Sequence, residues 1–201
     1  MPFTQKTELI ENFTYDEITI GQSARLMRTL SLADIQAFAA VSGDTNPSHL
    51  DANYANDSLF HGVVAHGMWG GVLISGLLGA EFPGPGTLYQ NQALHFTKEV
   101  RIGDTLTVTV TVVSKDDIKK SLELDCQVIN QKGEPVLHGL ARVLAPNQKI
   151  RQPRINAPKI QLFDPAARFA DLMAKGAGLE PVRCAVVHPC DPGSLSGAMD
   201  S

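Results

Sequence analysis

Gly67-Met68-Trp69-Gly70-Gly71-Val72-Leu73-Ile74-Ser75-Gly76-Leu77-Leu78-Gly79-Ala80-Glu81 is the stretch on which the fold turns. It is uncharged before Glu81 and apolar on every side, so it reads as a helix buried all round. Extended back to Val63, it approaches the ~20 apolar residues of a membrane span. Against a membrane stand His66, the glycines Gly67, Gly70, Gly71, Gly76 and Gly79, and the lack of a basic flank. Each interior glycine costs ~1 kcal/mol of helix propensity relative to alanine. That cost makes sense where a curved sheet must approach the helix backbone closely. Pro83-Gly84-Pro85-Gly86 stops the helix.

Four strands follow, at about 87–97, 104–115, 120–130 and 135–145. Thr105 to Val112 alternates strictly, threonine on one face and apolar residues on the other. Gly103-Asp104 and Lys132-Gly133 mark turns. Upstream, Phe13 to Ile20 has strand character. Ser31 and Asp34 stand in the spacing of a capping box and open a helix, with Ile35, Phe38, Ala39 and Ser42 on one face. Gly43 closes it as a left-handed cap. Residues 44–50 read as a loop, and Asp51 caps a short turn through Tyr54. The pattern is a strand, helices and an antiparallel meander. The expected fold is therefore α+β, an antiparallel sheet wrapped around one long apolar helix.

The chain has 201 residues and a net charge of −4, which argues against a phosphate-backbone nucleic-acid binder. Hydrophobic residues make up 43% and charged residues 19%, as in an ordinary globular domain with a real core. Cys126, Cys184 and Cys190 are too scattered for a disulfide framework and lack zinc spacing. No basic region followed by an apolar stretch marks a signal peptide. A cytoplasmic protein with no metal site is the expectation.

The composition changes after Ala145. Residues 1–146 form the expected main domain, and the proline-rich 147–160 reads as a linker. Asp164 then caps a helix with Pro165 at its first position, and Phe169, Leu172 and Met173 give it one apolar face. Val182 to Val187 reads as a short buried strand, and Asp191-Pro192 as another helix start. A helix, one strand and a half-begun helix cannot close a core. Residues 161–201 are thus expected to begin a second domain that is cut short.

The densest polar cluster is Asp44-Thr45-Asn46-Pro47-Ser48-His49-Leu50-Asp51. Pro47 prevents the preceding helix from continuing and pushes Asn46 to an extended conformation. The turn that follows can bring Asp44 and His49 to the same side, where a carboxylate and an imidazole can take a proton from water and return it to a substrate. The alternative is an Asx turn at Asp44 and a capping role for His49. A second segment, Val63-Val64-Ala65-His66-Gly67-Met68, places a glycine at the start of the buried helix. Its N–H can donate to a carbonyl oxygen that turns negative during reaction. The alternative is tight packing at Gly67 and a helix cap from His66. Taken together, the segments describe water adding to, or leaving from, a double bond conjugated with that carbonyl.

Residues 44–68, DTNPSHLDANYANDSLFHGVVAHGM, closely resemble the signature of MaoC-like dehydratases and (R)-specific enoyl-CoA hydratases. The resemblance spans about residues 10–145, with no departure at the D-x-N-P-x-H and A-H-G-M positions. It implies a hot-dog fold, usually paired into a homodimer. It also implies hydration of trans-2-enoyl-CoA to (R)-3-hydroxyacyl-CoA by Asp44 and His49, with the Gly67 amide polarising the thioester carbonyl. Ser75 matches a family serine near the catalytic aspartate. Asn46 braces the loop, and Asn46, Ser75 and His66 are the expected substrate-binding residues. Coenzyme A arrives with the substrate, and no separate cofactor is implied. Thioester hydrolysis, or a non-catalytic acyl-CoA-binding or dimerisation module, are the competing functions.

The stretch Ala185-Val186-Val187-His188-Pro189-Cys190-Asp191, with Ser194-Leu195 and Gly197-Ala198, resembles the start of phosphate acetyl/butyryltransferases. That implies a fused second enzyme whose active site is not contained here. Several other residues are set aside. His61 and Tyr54 read as exposed loop or packing residues rather than borders of an acyl pocket, His95 and His138 read as strand residues, and Trp69 reads as core or dimer contact. Cys190 beside His188 reads as structural. Lys98, Arg101 and Lys115 have the charge to meet coenzyme A phosphates, but any surface carries such residues, and they are not singled out.

Overall fold

The computed structural model describes residues 9–155 and 165–177, with side chains in the second stretch from Phe169 onward. The chain divides into two compact units, 1–160 and 161–201.

In the first unit the capping box forms as its spacing predicts. Ser31 and Asp34 exchange side-chain and backbone hydrogen bonds, α1 runs Leu32–Ser42, and Gly43 closes it at φ 73°. Residues 44–50 are not all loop. Asn46 caps a short helix α2, Pro47–Leu50, so Pro47 starts a turn as well as ending one. Asp51 caps α3, Ala52–Asp57, accepting from the Asn53 and Tyr54 N–H groups. The apolar helix α4 spans Trp69–Ala80, two residues short of the expected start at Gly67.

The first expected strand is corrected. Tyr15–Glu17 is a 3-10 turn, because Thr14 and Glu17 cap each other and Tyr15 and Ile18 both turn inward, three residues apart. After β1, Leu9–Glu11, the strand that follows is β2, Ser23–Thr29. Downstream, the stretch 87–97 is broken into β3, Leu88–Gln92, and β4, His95–Phe96. Then come β5, Thr105–Asp116, β6, Ser121–Ile129, and β7, Pro135–Leu144, near their expected positions. The sheet order is β2-β5-β6-β7-β3, all antiparallel, with β4 also on β7. At the break, a Cβ on Gly139 of β7 would stand 1.9 Å from the Ala93 carbonyl oxygen, so only glycine admits that approach.

The core follows from the alternation. Leu106, Val108, Val110 and Val112 of β5 and Leu122, Leu124, Cys126 and Val128 of β6 are buried on one face. Trp69, Ile74, Leu77 and Leu78 of α4 join the same cluster. Each such aliphatic side chain contributes about 1.5–3 kcal/mol on burial. Trp69 is core, as the sequence suggests. Cys126 is buried, and that burial pushes its thiol up to about 11. Among the described residues no helix is long and apolar enough to cross a membrane.

The proline-rich 147–160 is not free throughout. Arg151–Pro153 forms β8, antiparallel to β1. Asn12 anchors this closure: its Nδ2 donates to Pro85 O and Gln148 O, and its Oδ1 accepts from Ile150 N, each at 2.9 Å. In the second unit α5 runs Pro165–Gly176, beginning at the expected proline. Its cap Asp164, the expected strand Val182 to Val187, the helix start Asp191-Pro192, and Cys184, His188 and Cys190 lie outside the described residues.

Because Asn12 is fully buried, Asn12→Ala leaves two carbonyls and an N–H without partners. We expect a loss of about 2–4 kcal/mol, measured as a lower urea midpoint with an unchanged slope.

Candidate active site

Three local structures bring the site together. The turn after α1 carries Asp44, α2 carries His49, and the approach to α4 carries His66 and Gly67. The Asp44 backbone N–H donates to Ser42 Oγ at 3.1 Å, and its Oδ1 accepts the Asn46 N–H at 3.2 Å. Asn46 Oδ1 in turn accepts the Ser48 N–H at 3.0 Å, capping α2. The Asx turn at Asp44 is therefore real, and it uses only one carboxylate oxygen. The other, Oδ2, faces His49 Nε2 at 4.0 Å. One carboxylate oxygen thus holds the turn, and the other is left facing His49.

His49 is oriented from behind. Its Nδ1 lies 2.8 Å from the Val64 carbonyl oxygen. A carbonyl only accepts, so Nδ1 carries a proton, and in the neutral ring Nε2 is the nitrogen whose lone pair faces Asp44. A 4.0 Å gap is too long for a direct hydrogen bond. A single water making two hydrogen bonds of about 2.8 Å across it would subtend about 90° at its oxygen, near water's own angle.

The Val64 segment is itself fixed. Val64 N–H donates to Ser48 O at 3.3 Å, and Ala65 N–H to Val100 O at 2.8 Å. His66 is 3% exposed, and its Nε2 lies 3.0 Å from the Asp44 carbonyl oxygen, which places the proton on Nε2. Among the described residues, His66 Nδ1 is buried with no partner, at a cost of order 1–3 kcal/mol. His66 does not cap α4, which has no side-chain cap.

Gly67 precedes α4 in a turn. Among the described residues its N–H has no hydrogen-bond acceptor, and it stands at the positive end of the helix dipole. A cavity of about 390 Å³ opens beside it, with His49, His66 and Gly67 in one wall. Phe60, Phe96, Val100 and Leu137 supply apolar wall. These four were not singled out in the sequence, because nothing local marks them. They come from separate segments and meet only through the strand pairing.

One ligand atom from each of Asp44, His49 and His66 falls within 4.8 Å of the others, a spacing that a metal ion can also use. The ring protons on His49 Nδ1 and His66 Nε2, both given to carbonyls, fit an acid–base site directly.

The remaining expected residues separate. Asn46 braces the turn and does not line the cavity. Ser75 is exposed on α4, outside the cavity wall and without a hydrogen bond to Asp44. His61, at φ 50°, and Tyr54 are exposed and also outside it. His95 and His138 stack on each other across β4 and β7 at 5.1 Å. Lys98 lines the cavity and pairs with Glu134, and Arg101 holds Glu99 and the Phe60 carbonyl. Lys115 is committed to the Tyr15 and Ile18 carbonyls.

An antiparallel sheet on one apolar helix, with an Asp–His pair near that helix's start, is the arrangement of a hot-dog domain. Residues 16–134 match the model of the MaoC like domain, more than half of the chain, and the chain belongs to that family. It is 44% identical over 134 residues to an (R)-specific enoyl-CoA hydratase of Rhodospirillum rubrum, covering 66% of this chain and 91% of that one. It is 34% identical over 139 residues to a 3-hydroxybutyryl-CoA dehydratase of Methylorubrum extorquens, covering 69% and 88%. The solved structure of an unliganded R-hydratase from Pseudomonas aeruginosa superposes with a TM-score of 0.74 at 40% identity, covering 78% of this chain and all of that one.

The two rings should hold opposite tautomers, Nδ1–H at His49 and Nε2–H at His66. Long-range proton–nitrogen correlation spectra of the imidazoles would read this directly. Nε2–H at His49 would remove the bare lone pair from the Asp44 side.

Proposed function

We propose that the chain hydrates trans-2-enoyl-CoA reversibly to (R)-3-hydroxyacyl-CoA. The observation that carries this is Asp44 Oδ2 facing His49 Nε2 at 4.0 Å, with His49 and Gly67 both lining a cavity that Asp44, behind His49, does not itself line. The names of the hydratase and dehydratase relatives support the substrate class and the (R) product.

In this mechanism a water held by the pair attacks C3 of the enoyl group. One of its protons passes to the Asp44–His49 pair as the C–O bond forms. The C2–C3 π electrons move onto the thioester, and its oxygen becomes negative against the Gly67 N–H. Such a donor acts in a partly dry site without reorganising, the condition under which it is strongest. The pair then returns a proton to C2, and the enolate collapses to the 3-hydroxyacyl thioester. Dehydration runs the same steps backward. No metal or redox group is needed by this proposal.

Two further points belong to it. The exposed side of α4, with Val72 at 50% exposure and Ser75, Gly76 and Gly79 beside it, suits the close helix pairing of a homodimer. The resemblance of Ala185 to Asp191 to phosphate acetyl/butyryltransferases supports a fused arrangement in which the hydratase domain precedes an acyl-transferring one.

Asp44→Asn and His49→Gln should each lower turnover of crotonyl-CoA by about 10²–10⁴-fold. Enone absorbance would report this, with free thiol followed in the same sample. Near-native turnover by both variants would overturn the assignment. Thiol release by the native protein would make it a thioesterase instead.

A further inference from the structure

We infer that His66 is a positioning residue, whose Nε2–H ties the Asp44 backbone to the start of α4 and so holds Asp44 opposite His49. The inference rests on the hydratase reading, with Asp44 and His49 as the reacting pair.

Asp44 needs such a tie. It follows Gly43, a left-handed cap, on an exposed turn, and its own side chain is half exposed. The Ser42 and Asn46 bonds that hold it come from its own turn. They fix the turn's shape but not its place relative to Gly67. Ser48 and His49 bond to Val64 further along the turn, and the bond from His66 Nε2 to the Asp44 carbonyl, across 22 residues, is the one that ties Asp44 itself to the residue before Gly67. Gly67 is the next residue in the chain. The acid–base carboxylate and the carbonyl-holding amide are therefore joined through one side chain.

The ring is well fixed for this task. It packs against His49 at 3.9 Å between centroids and against Phe38 at 4.8 Å. His66 thus touches both members of the pair, Asp44 through a hydrogen bond and His49 through ring contact. It does not offer a nitrogen to substrate, because Nε2 is engaged and Nδ1 is buried. An apolar side chain would pack here without leaving a nitrogen unpaired. Histidine is useful at this position for its one donated proton.

Three substitutions separate the donor from the packing. In His66→Gln the amide nitrogen reaches roughly where Nε2 stands. In His66→Asn it falls short of the Asp44 carbonyl. His66→Phe keeps a ring and loses the donor. With crotonyl-CoA we expect kcat to fall about 10–100-fold in the Asn and Phe variants with KM changed less than about threefold. The Gln variant should recover to within about fivefold of the native protein. Melting temperatures normalise each value to folded protein, and if Phe fails to fold, the Gln–Asn contrast alone decides. A structural role only would give equal kcat per folded molecule across the series, and that result would overturn the proposal.

A second readout does not use turnover. Backbone order parameters at Asp44 and Thr45 should drop in the Asn and Phe variants and hold in Gln. If the native protein fails to hydrate enoyl-CoA, the proposed function falls, while these order parameters still judge the tie. Unchanged order in all three variants would show that His66 does not place Asp44.

Discussion

Burial of α4 is the constraint on which the rest of the structure depends. No residue from Trp69 to Ala80 is charged, so the helix needs cover along most of its length. The sheet covers the face that carries Trp69, Ile74, Leu77 and Leu78, while Val72, Ser75, Gly76 and Gly79 stay exposed, so the helix is not buried all round as its composition suggests. The sheet leaves the start of the helix open, and that is where Gly67 lies. The same element that forms the core therefore delivers an unpaired amide and a helix dipole to the cavity.

The polar half of the site is assembled from backbone carbonyls as much as from side chains. The Val64 carbonyl selects the tautomer of the neutral His49 ring, and the Asp44 carbonyl that of His66. In each case an acceptor behind the ring decides which nitrogen is bare. The Asp44 carboxylate divides its oxygens between its own turn and His49. Few titratable groups are present, and each has its working atom selected by a bond made elsewhere.

Much of this was legible in the sequence where the signal is local. The Ser31–Asp34 box, Gly43, the Asp51 cap and the threonine alternation of β5 are contacts over a few residues, and each formed as read. The Asp44–His49 proximity was legible because Pro47 forces a turn within five residues. What failed was non-local or ambiguous. Phe13 to Ile20 is rich in strand formers, but the Thr14–Glu17 cap bends it into a turn. β2 was missed because only Ala24 and Leu26 mark its inner face, while Arg25, Met27 and Arg28 point to solvent. The proline-rich stretch hid β8, whose partner lies at the other end of the unit. The link from His66 to Asp44 and the apolar cavity wall join segments whose meeting no spacing encodes.

On the proposed mechanism one reacting centre holds a water shared by Asp44 and His49, with a thioester oxygen on the Gly67 amide. A crystal structure with butyryl-CoA, which lacks the double bond and cannot be hydrated, tests it most directly. That structure should hold a water about 2.8 Å from both Asp44 Oδ2 and His49 Nε2, and the thioester oxygen about 2.7–3.1 Å from Gly67 N. A thioester bound away from Gly67, or an Asp44–His49 gap closed without water, would contradict it.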